Sequence, residues 1–197
     1  MSKKKIVLLG TKAAGKTTML SIMRGENPPE DPKSTDGHTD QDRYTIGGWW
    51  IFGDKIEMHD TGGKNTNTED DYKEWIKESD YVIFVFDGRE FIQEIDSTKG
   101  GIIGTKIRNW VLPVFEKNKL PKNHLIFVAT HMDKYNGYNM RQDILDKMKK
   151  VNDEYDKIVH TKRYTFEDLM EDNSNFFCVD SRNKEQITKM FNDIKSR

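Results

Sequence analysis

Gly10-Thr11-Lys12-Ala13-Ala14-Gly15-Lys16-Thr17 follows directly on the apolar run Ile6-Val7-Leu8-Leu9 and leads into Thr18-Met19-Leu20-Ser21-Ile22-Met23-Arg24. The spacing is G-x-x-x-x-G-K-[ST], with a buried strand before it and a helix after it, which is the setting in which that spacing carries a mechanism. A tight glycine-bearing turn points successive backbone N–H groups inward, and the helix start adds its dipole, so that amides converge on an anion. Lys16 can then reach the β- and γ-phosphates of a nucleoside triphosphate, while Thr17 offers its hydroxyl to Mg²⁺. The competing explanation is a chance run of small residues beside a surface lysine; it requires neither the strand nor the helix, and both are present.

The 197 residues suit one α/β domain with a sizeable core, and a single domain over 1–197 is expected. Lys and Arg number 32 against 33 Asp and Glu, a net charge of −1, so no global pull towards nucleic acid or an anionic membrane is expected. The single cysteine, Cys178, excludes an internal disulfide framework and fits a reducing compartment. Its place in Phe176-Phe177-Cys178-Val179 reads as packing rather than reactivity. Met1-Ser2-Lys3-Lys4-Lys5 passes straight into the first strand, and no apolar segment has signal-peptide or membrane-spanning length. Ser2 is not the glycine that myristoylation needs. A cytoplasmic location without an intrinsic membrane anchor is the expectation.

Short apolar runs alternate with amphipathic stretches, the pattern of βαβ units and a mostly parallel sheet. Strands are expected at Lys5 to Leu9, Gln41 to Phe52, Lys55 to His59, Tyr81 to Phe86, His124 to Ala129 and Asn175 to Val179. Gly53-Asp54 divides the second from the third as a hairpin turn, so those two should form the antiparallel edge of a parallel core. Helices are expected at Lys16 to Arg24, Glu69 to Glu78, Gly101 to Asn118, Met140 to His160 and Lys184 to Ser196. Residues Glu26 to Lys33 hold three of the five prolines and read as a loop.

Ile56-Glu57-Met58-His59-Asp60-Thr61-Gly62-Gly63 is a strand ending in an aspartate and two glycines. Asp60 can hold Mg²⁺ through water, and the N–H of Gly63 can meet a γ-phosphate without side-chain hindrance. Alone, Asp-Thr-Gly-Gly is equally a turn; behind the upstream loop and a hairpin it reads as part of the same site. In Thr130-His131-Met132-Asp133, Asp133 can accept hydrogen bonds from the ring N–H and the exocyclic amine of guanine, a donor pair adenine lacks. A helix-capping role is the alternative for Asp133. After the last strand, Asp180-Ser181-Arg182 can offer a backbone N–H to the guanine oxygen.

Together these residues resemble the Ras-like small GTPases, and within them most closely the Arf-like branch. Lys12-Ala13-Ala14-Gly15-Lys16-Thr17-Thr18 is similar to the Arf phosphate loop, and Asp60-x-Gly62-Gly63 to the branch's double-glycine second switch. Trp75 to Asp80 and Ile83-Phe84-Val85-Phe86-Asp87 resemble the helix and fourth strand of the family. The likeness runs from end to end. It implies an α/β fold, the P-loop NTPase G domain: a six-stranded, mostly parallel sheet with one antiparallel edge strand and helices on both faces. It also implies GTP/GDP and Mg²⁺ as cofactors, GTP hydrolysis, and two loops that sense the γ-phosphate and recruit effectors and regulators. By this resemblance Gly10, Lys12, Ala13, Ala14, Gly15, Lys16, Thr17, Thr18, Thr130, His131, Asp133, Asp180, Ser181 and Arg182 hold the nucleotide. Thr17, Asp60 and Thr35 hold the metal, and Lys16, Thr35, Gly63 and Lys64 attend hydrolysis.

The departures bear on rate and affinity. Lys64 stands where the family has the glutamine that orients the attacking water, so turnover should be slow. Asn-Lys-x-Asp becomes Thr130-His131-x-Asp133, with His131 placed to stack on the base. Ser181 and Arg182 replace alanine and lysine and keep the backbone contact. The switch threonine is Thr35, in the form Thr-x-Gly, or Thr39, whose distance to Asp60 is the more usual one.

The interval from Asp133 to Ser181 is longer than in compact members. Its stripe Ile144, Met148, Val151, Tyr155 and Ile158 has helical spacing and should face the sheet, or else form a partner surface. Trp49 and Trp50, adjacent in an edge strand, either offer an aromatic contact or pack under a helix. The expected activity is that of a GTP-binding switch with slow Mg²⁺-dependent hydrolysis. The alternatives are a nucleotide-binding scaffold with little or no hydrolysis and an ATP-dependent kinase, for which neither an arginine-rich lid nor an acceptor pocket is visible.

Overall fold

Tyr81–Asp87 forms the central strand, β4, and every one of its residues is buried. A computed structural model describes residues 5–23, 25–27, 42–46, 56–60, 69–93, 101–117, 119, 121, 124–132, 140–158 and 175–196. Around β4 lie β1 (Lys5–Gly10), β2 (Asp42–Ile46), β3 (Ile56–Asp60), β5 (Leu125–Thr130) and β6 (Phe176–Cys178). Among the described residues they form one six-stranded sheet in the order β2-β3-β1-β4-β5-β6.

β1 pairs in parallel with β3 and β4, and β4–β5 and β5–β6 are also parallel; β2 alone runs antiparallel, against β3. The expectation that both hairpin strands stand apart from the parallel core is therefore corrected: β3 aligns with β1, Leu8 opposite Asp60. A hairpin reverses the chain once, so one of its two strands must run with the parallel neighbour.

The helices are α1 (Lys16–Met23), α2 (Glu69–Lys77), α3 (Gly88–Gln93), α4 (Gly101–Lys106), α5 (Leu112–Lys117), α6 (Met140–Ile158) and α7 (Lys184–Lys195). α1 ends where Gly25, at φ +79°, takes the left-handed conformation. Its N–H donates to Ile22 O and that of Glu26 to Ser21 O, which satisfies the last carbonyls of the helix. The single helix expected over Gly101 to Asn118 runs without a gap over 101–117, with a π segment inside it, Ile107–Val111, where the Leu112 N–H reaches back to Ile107 O. Pro113 explains the widening, because it has no N–H to continue the α ladder and its ring crowds the preceding turn. α3 was not expected: six residues opening on glycine give no periodic signal.

Side-chain alternation along the strands divides the core in two. Val82, Phe84 and Phe86 of β4 join Val7, Leu9 and Phe127 against Trp75, Ile76, Phe91, Ile107, Val111, Ile144, Met148 and Val151 from α2 to α6. Tyr81, Ile83 and Val85 join Ile6, Leu8 and Val128 against Met19, Leu20 and Ile22 of α1 and Ile187, Met190 and Ile194 of α7. Helices thus cover both faces, as a sheet with near-continuous apolar strands requires. The stripe on α6 faces the sheet at Ile144, Met148 and Val151; the side chains of Tyr155 and Ile158, together with Trp49 and Trp50, lie outside the described residues. Among the described residues no helix is long and apolar enough to cross a membrane.

Candidate functional site

β1 has β3 on one side and β4 on the other, so the connections leave it in opposite directions and open a crevice at its carboxyl end. The loop Gly10 to Gly15 lies there. Gly10, at φ +152°, is pressed so closely on β4 that a β-carbon would stand 1.9 Å from Val85 O. The Thr11 N–H donates to that same carbonyl at 3.2 Å. Ala13 and Gly15, at φ 58° and 80°, curl the loop back on itself before α1 begins at Lys16.

Lys16 is only 5% exposed, and its Nζ donates to Thr11 O at 2.7 Å. An ammonium group so placed keeps its charge only where it meets acceptors, and the loop's own carbonyl supplies one. Thr11 Oγ1 is buried and, among the described residues, has no hydrogen-bond partner. An orphaned hydroxyl and a buried cation inside a loop too tight for side chains at Gly10 or Gly15 fit a polyanion that brings its own oxygen acceptors. Thr17 is an exposed residue at the start of α1, and the β1–β3 register sets Asp60 beside Leu8 at the same end of the sheet. Hydroxyl and carboxylate oxygens are the donors that a hard cation such as Mg²⁺ takes.

Three residues from the distal strands close on the loop. Thr130, fully buried at the end of β5, has its Oγ1 at 2.9 Å from Ala14 O and 3.1 Å from Phe86 O. His131, in the left-handed conformation at φ 60°, has Nε2 at 3.1 Å from Ala13 O. Ser181 lies under Gly15, where a β-carbon would meet its Cβ and Oγ at 2.8 Å. The segment carrying Ser181 is itself pinned: the Val179 N–H donates to Ala129 O, the Asp180 N–H to Gln186 Oε1 and the Arg182 N–H to Asp180 Oδ1.

Of the residues expected from sequence, Gly10, Lys12, Ala13, Ala14, Gly15, Lys16, Thr17 and Thr18 form the loop and the start of α1; Thr18 is buried, whereas Lys12 and Ala13 are exposed. Thr130, His131 and Ser181 lie beside them, and Asp180 and Arg182 flank Ser181 in the chain. Thr35, Thr39, Gly63, Lys64 and Asp133 lie outside the described residues.

Asp87, at the end of β4, was not expected in the site. Its carboxylate accepts from the Arg89 and Glu90 N–H groups and pairs with the Arg89 guanidinium at 2.7 Å, with His131 Nε2 3.8 Å away. Burial pushes its pKa up, but the Arg89 side chain, the neighbouring His131 ring and the two backbone N–H groups outweigh burial and hold it below the ordinary 3.8. The available signal was positional: an aspartate at a strand's carboxyl end, as with Asp60.

A family model described as 50S ribosome-binding GTPase matches residues 5–150. Among solved structures, the Arl6 BBS3 small GTPase from Trypanosoma brucei with bound nucleotide analogue GppNp is 16% identical with a TM-score of 0.54, over 99% of this chain and 96% of that one. A probable GTP-binding protein engB is 15% identical with a TM-score of 0.57, over 98% and 99%. A GTP-binding protein from the hyperthermophilic archaeon Sulfolobus solfataricus in complex with GDP is 16% identical with a TM-score of 0.54, over 98% of this chain and 52% of that one. At such identities the likeness shows the fold. Comparison with curated proteins finds no match.

Proposed function

The chain belongs to the GTPase family whose model is described as 50S ribosome-binding GTPase, and from that premise we propose that it is a guanine-nucleotide switch with slow Mg²⁺-dependent hydrolysis. The observation that carries this reading is the buried Lys16 ammonium inside a loop closed by Gly10 and Gly15.

In the proposed mechanism Lys16 and the loop's N–H groups hold the β- and γ-phosphates, and Thr17, Asp60 and Thr35 are the residues that would hold Mg²⁺. The cation, when bound, offsets the charge on the phosphate oxygens. Water attacks the γ-phosphorus in line as the bond to the β–γ bridging oxygen breaks, giving GDP and phosphate, and the water's protons pass to phosphate and solvent. Gly63 donates its N–H to the γ-phosphate, and Asp133 selects guanine while the Ser181 segment meets the guanine oxygen. Catalysis of this kind is positioning and electrostatics, so a lysine at position 64 in place of a water-orienting glutamine leaves the step slow. Residues 1–197 would act as one domain in the cytoplasm, engaging effectors and regulators through the loops that sense the γ-phosphate.

Calorimetry of the purified chain with Mg²⁺ tests the binding reading, with GTP expected to bind in preference to ATP. No uptake of either at millimolar levels would overturn it. Single-turnover phosphate release, with and without Lys64→Gln, then tests hydrolysis: slow release accelerated by the substitution is expected, and none in either protein would support the nucleotide-binding scaffold instead.

A further inference from the structure

Ala13 and His131 both take left-handed backbone conformations, at φ 58° and 60°, and they are joined by the contact between His131 Nε2 and Ala13 O. Strain of this kind persists only where the surroundings over-determine it. The same Nε2 lies 3.1 Å from the Ala13 carbonyl oxygen and 3.8 Å from Asp87 Oδ2. Both are acceptors, so the nitrogen between them must carry hydrogen. A neutral imidazole has one N–H and two tautomers, and the tautomer with a bare Nε2 would aim its lone pair at oxygen.

Asp87 is itself fixed. Oδ1 accepts from Arg89 N at 2.8 Å, from Arg89 Nε at 3.2 Å and from Glu90 N at 3.3 Å, while Oδ2 accepts from Arg89 Nη2 at 2.7 Å. A braced, buried carboxylate 3.8 Å from one ring nitrogen favours, through its negative charge, the tautomer with hydrogen on that nitrogen. We propose that Asp87, braced by Arg89, is a positioning residue for nucleotide retention: it keeps the proton of His131 on Nε2, which then donates to Ala13 O and fixes the curl of the phosphate loop. This rests on the loop's being the nucleotide site.

The unaltered chain gives the first test. Nitrogen-15 spectra of histidine-labelled protein, with His131 assigned by its loss in His131→Lys, should show hydrogen on Nε2; the Nδ1–H tautomer would overturn the proposal. The second test is release of mant-GDP in the presence of Mg²⁺. Asp87→Asn should accelerate release about tenfold in the wild-type background, the size expected for weakening a charge-supported hydrogen bond. In the His131→Lys background the same substitution should change release less than about twofold, because an ammonium group needs no tautomer choice. Equal acceleration in both backgrounds would mean that Asp87 acts only by capping α3, and would overturn the proposal. Arg89→Gln, which loosens the brace and leaves the carboxylate, serves if Asp87→Asn fails to fold; it should show the same dependence on background. If the unaltered chain takes up no mant-GDP, the functional reading falls, and the tautomer measurement alone decides the latch.

Discussion

Ser181 closes on Gly15: a β-carbon on the glycine would stand 2.8 Å from both the Cβ and the Oγ of the serine. Two segments far apart in the chain therefore meet at a single α-carbon, one at the start of α1 and one at the end of β6. Gly15 also sits at φ +80°, a conformation that side chains resist.

Gly15→Ala consequently carries two separable faults. The clash with Ser181 can be relieved by Ser181→Gly; the backbone strain cannot. Gly15→Ala should weaken nucleotide binding about a hundredfold, given a strain of a few kcal/mol and a displaced neighbour. Adding Ser181→Gly should recover part of that loss. Calorimetric titration of the single and double variants checks both statements, and full recovery in the double variant would show that φ is not a constraint here.

Gly10 offers a contrast with Gly25. A β-carbon on Gly10 would lie 1.9 Å from the Val85 carbonyl oxygen, a backbone atom in the central strand that cannot move aside. Gly10→Ala should cost more than about 3 kcal/mol of stability even without nucleotide. A β-carbon on Gly25, at φ +79°, would meet nothing within 4 Å. Gly25→Ala should cost only about 1–2 kcal/mol, the left-handed penalty by itself. Urea unfolding of the two variants beside the wild type gives the comparison.

Much of this fold is legible in sequence because its signals are local. Ile6 to Leu9, the glycine loop and the helix that follows declare one another within about twenty residues, and both core stripes follow from strand and helix periods. What was not legible depends on contacts between distant residues. Nothing near Ser181 says that it lies under Gly15, and nothing near Thr130 says that its hydroxyl reaches Ala14 O. The pairing of β3 with β1 is likewise a property of the sheet, not of the hairpin. Asp87 was missed because its neighbours, Gly88 and Arg89, match no motif, although its carboxylate organises the start of α3.

Cys178 makes stability depend on pH in a stated direction. Burial pushes its thiol from the ordinary 9.0 up to about 11, with Arg141 opposing. Below pH 9 both folded and unfolded chains keep the proton, and no effect is felt. Above it the unfolded chain gives up its proton first, so the folded state is progressively disfavoured until the pH reaches the folded value of about 11. The full loss amounts to about 3 kcal/mol. Urea midpoints measured across this interval should fall more steeply for the wild type than for Cys178→Ala; parallel curves would show that the thiol is not the source.

Thr130 has one O–H and faces two carbonyl oxygens, Ala14 O at 2.9 Å and Phe86 O at 3.1 Å. It can donate to only one of them at a time. Thr130→Val keeps the shape and removes the only proton, so whichever of the two carbonyls the hydroxyl serves loses that hydrogen bond. That should cost about 1–3 kcal/mol of stability, the penalty for an unsatisfied buried acceptor. Nucleotide release should also quicken, since Ala14 lies in the phosphate loop immediately before Gly15 and Lys16. Thr130→Ser retains the hydroxyl and loses a methyl, so it should keep the slow release while losing some packing. Release rates and thermal melting of the two variants separate the roles: if serine and valine quicken release equally, the methyl group and not the hydrogen bond holds the loop in place.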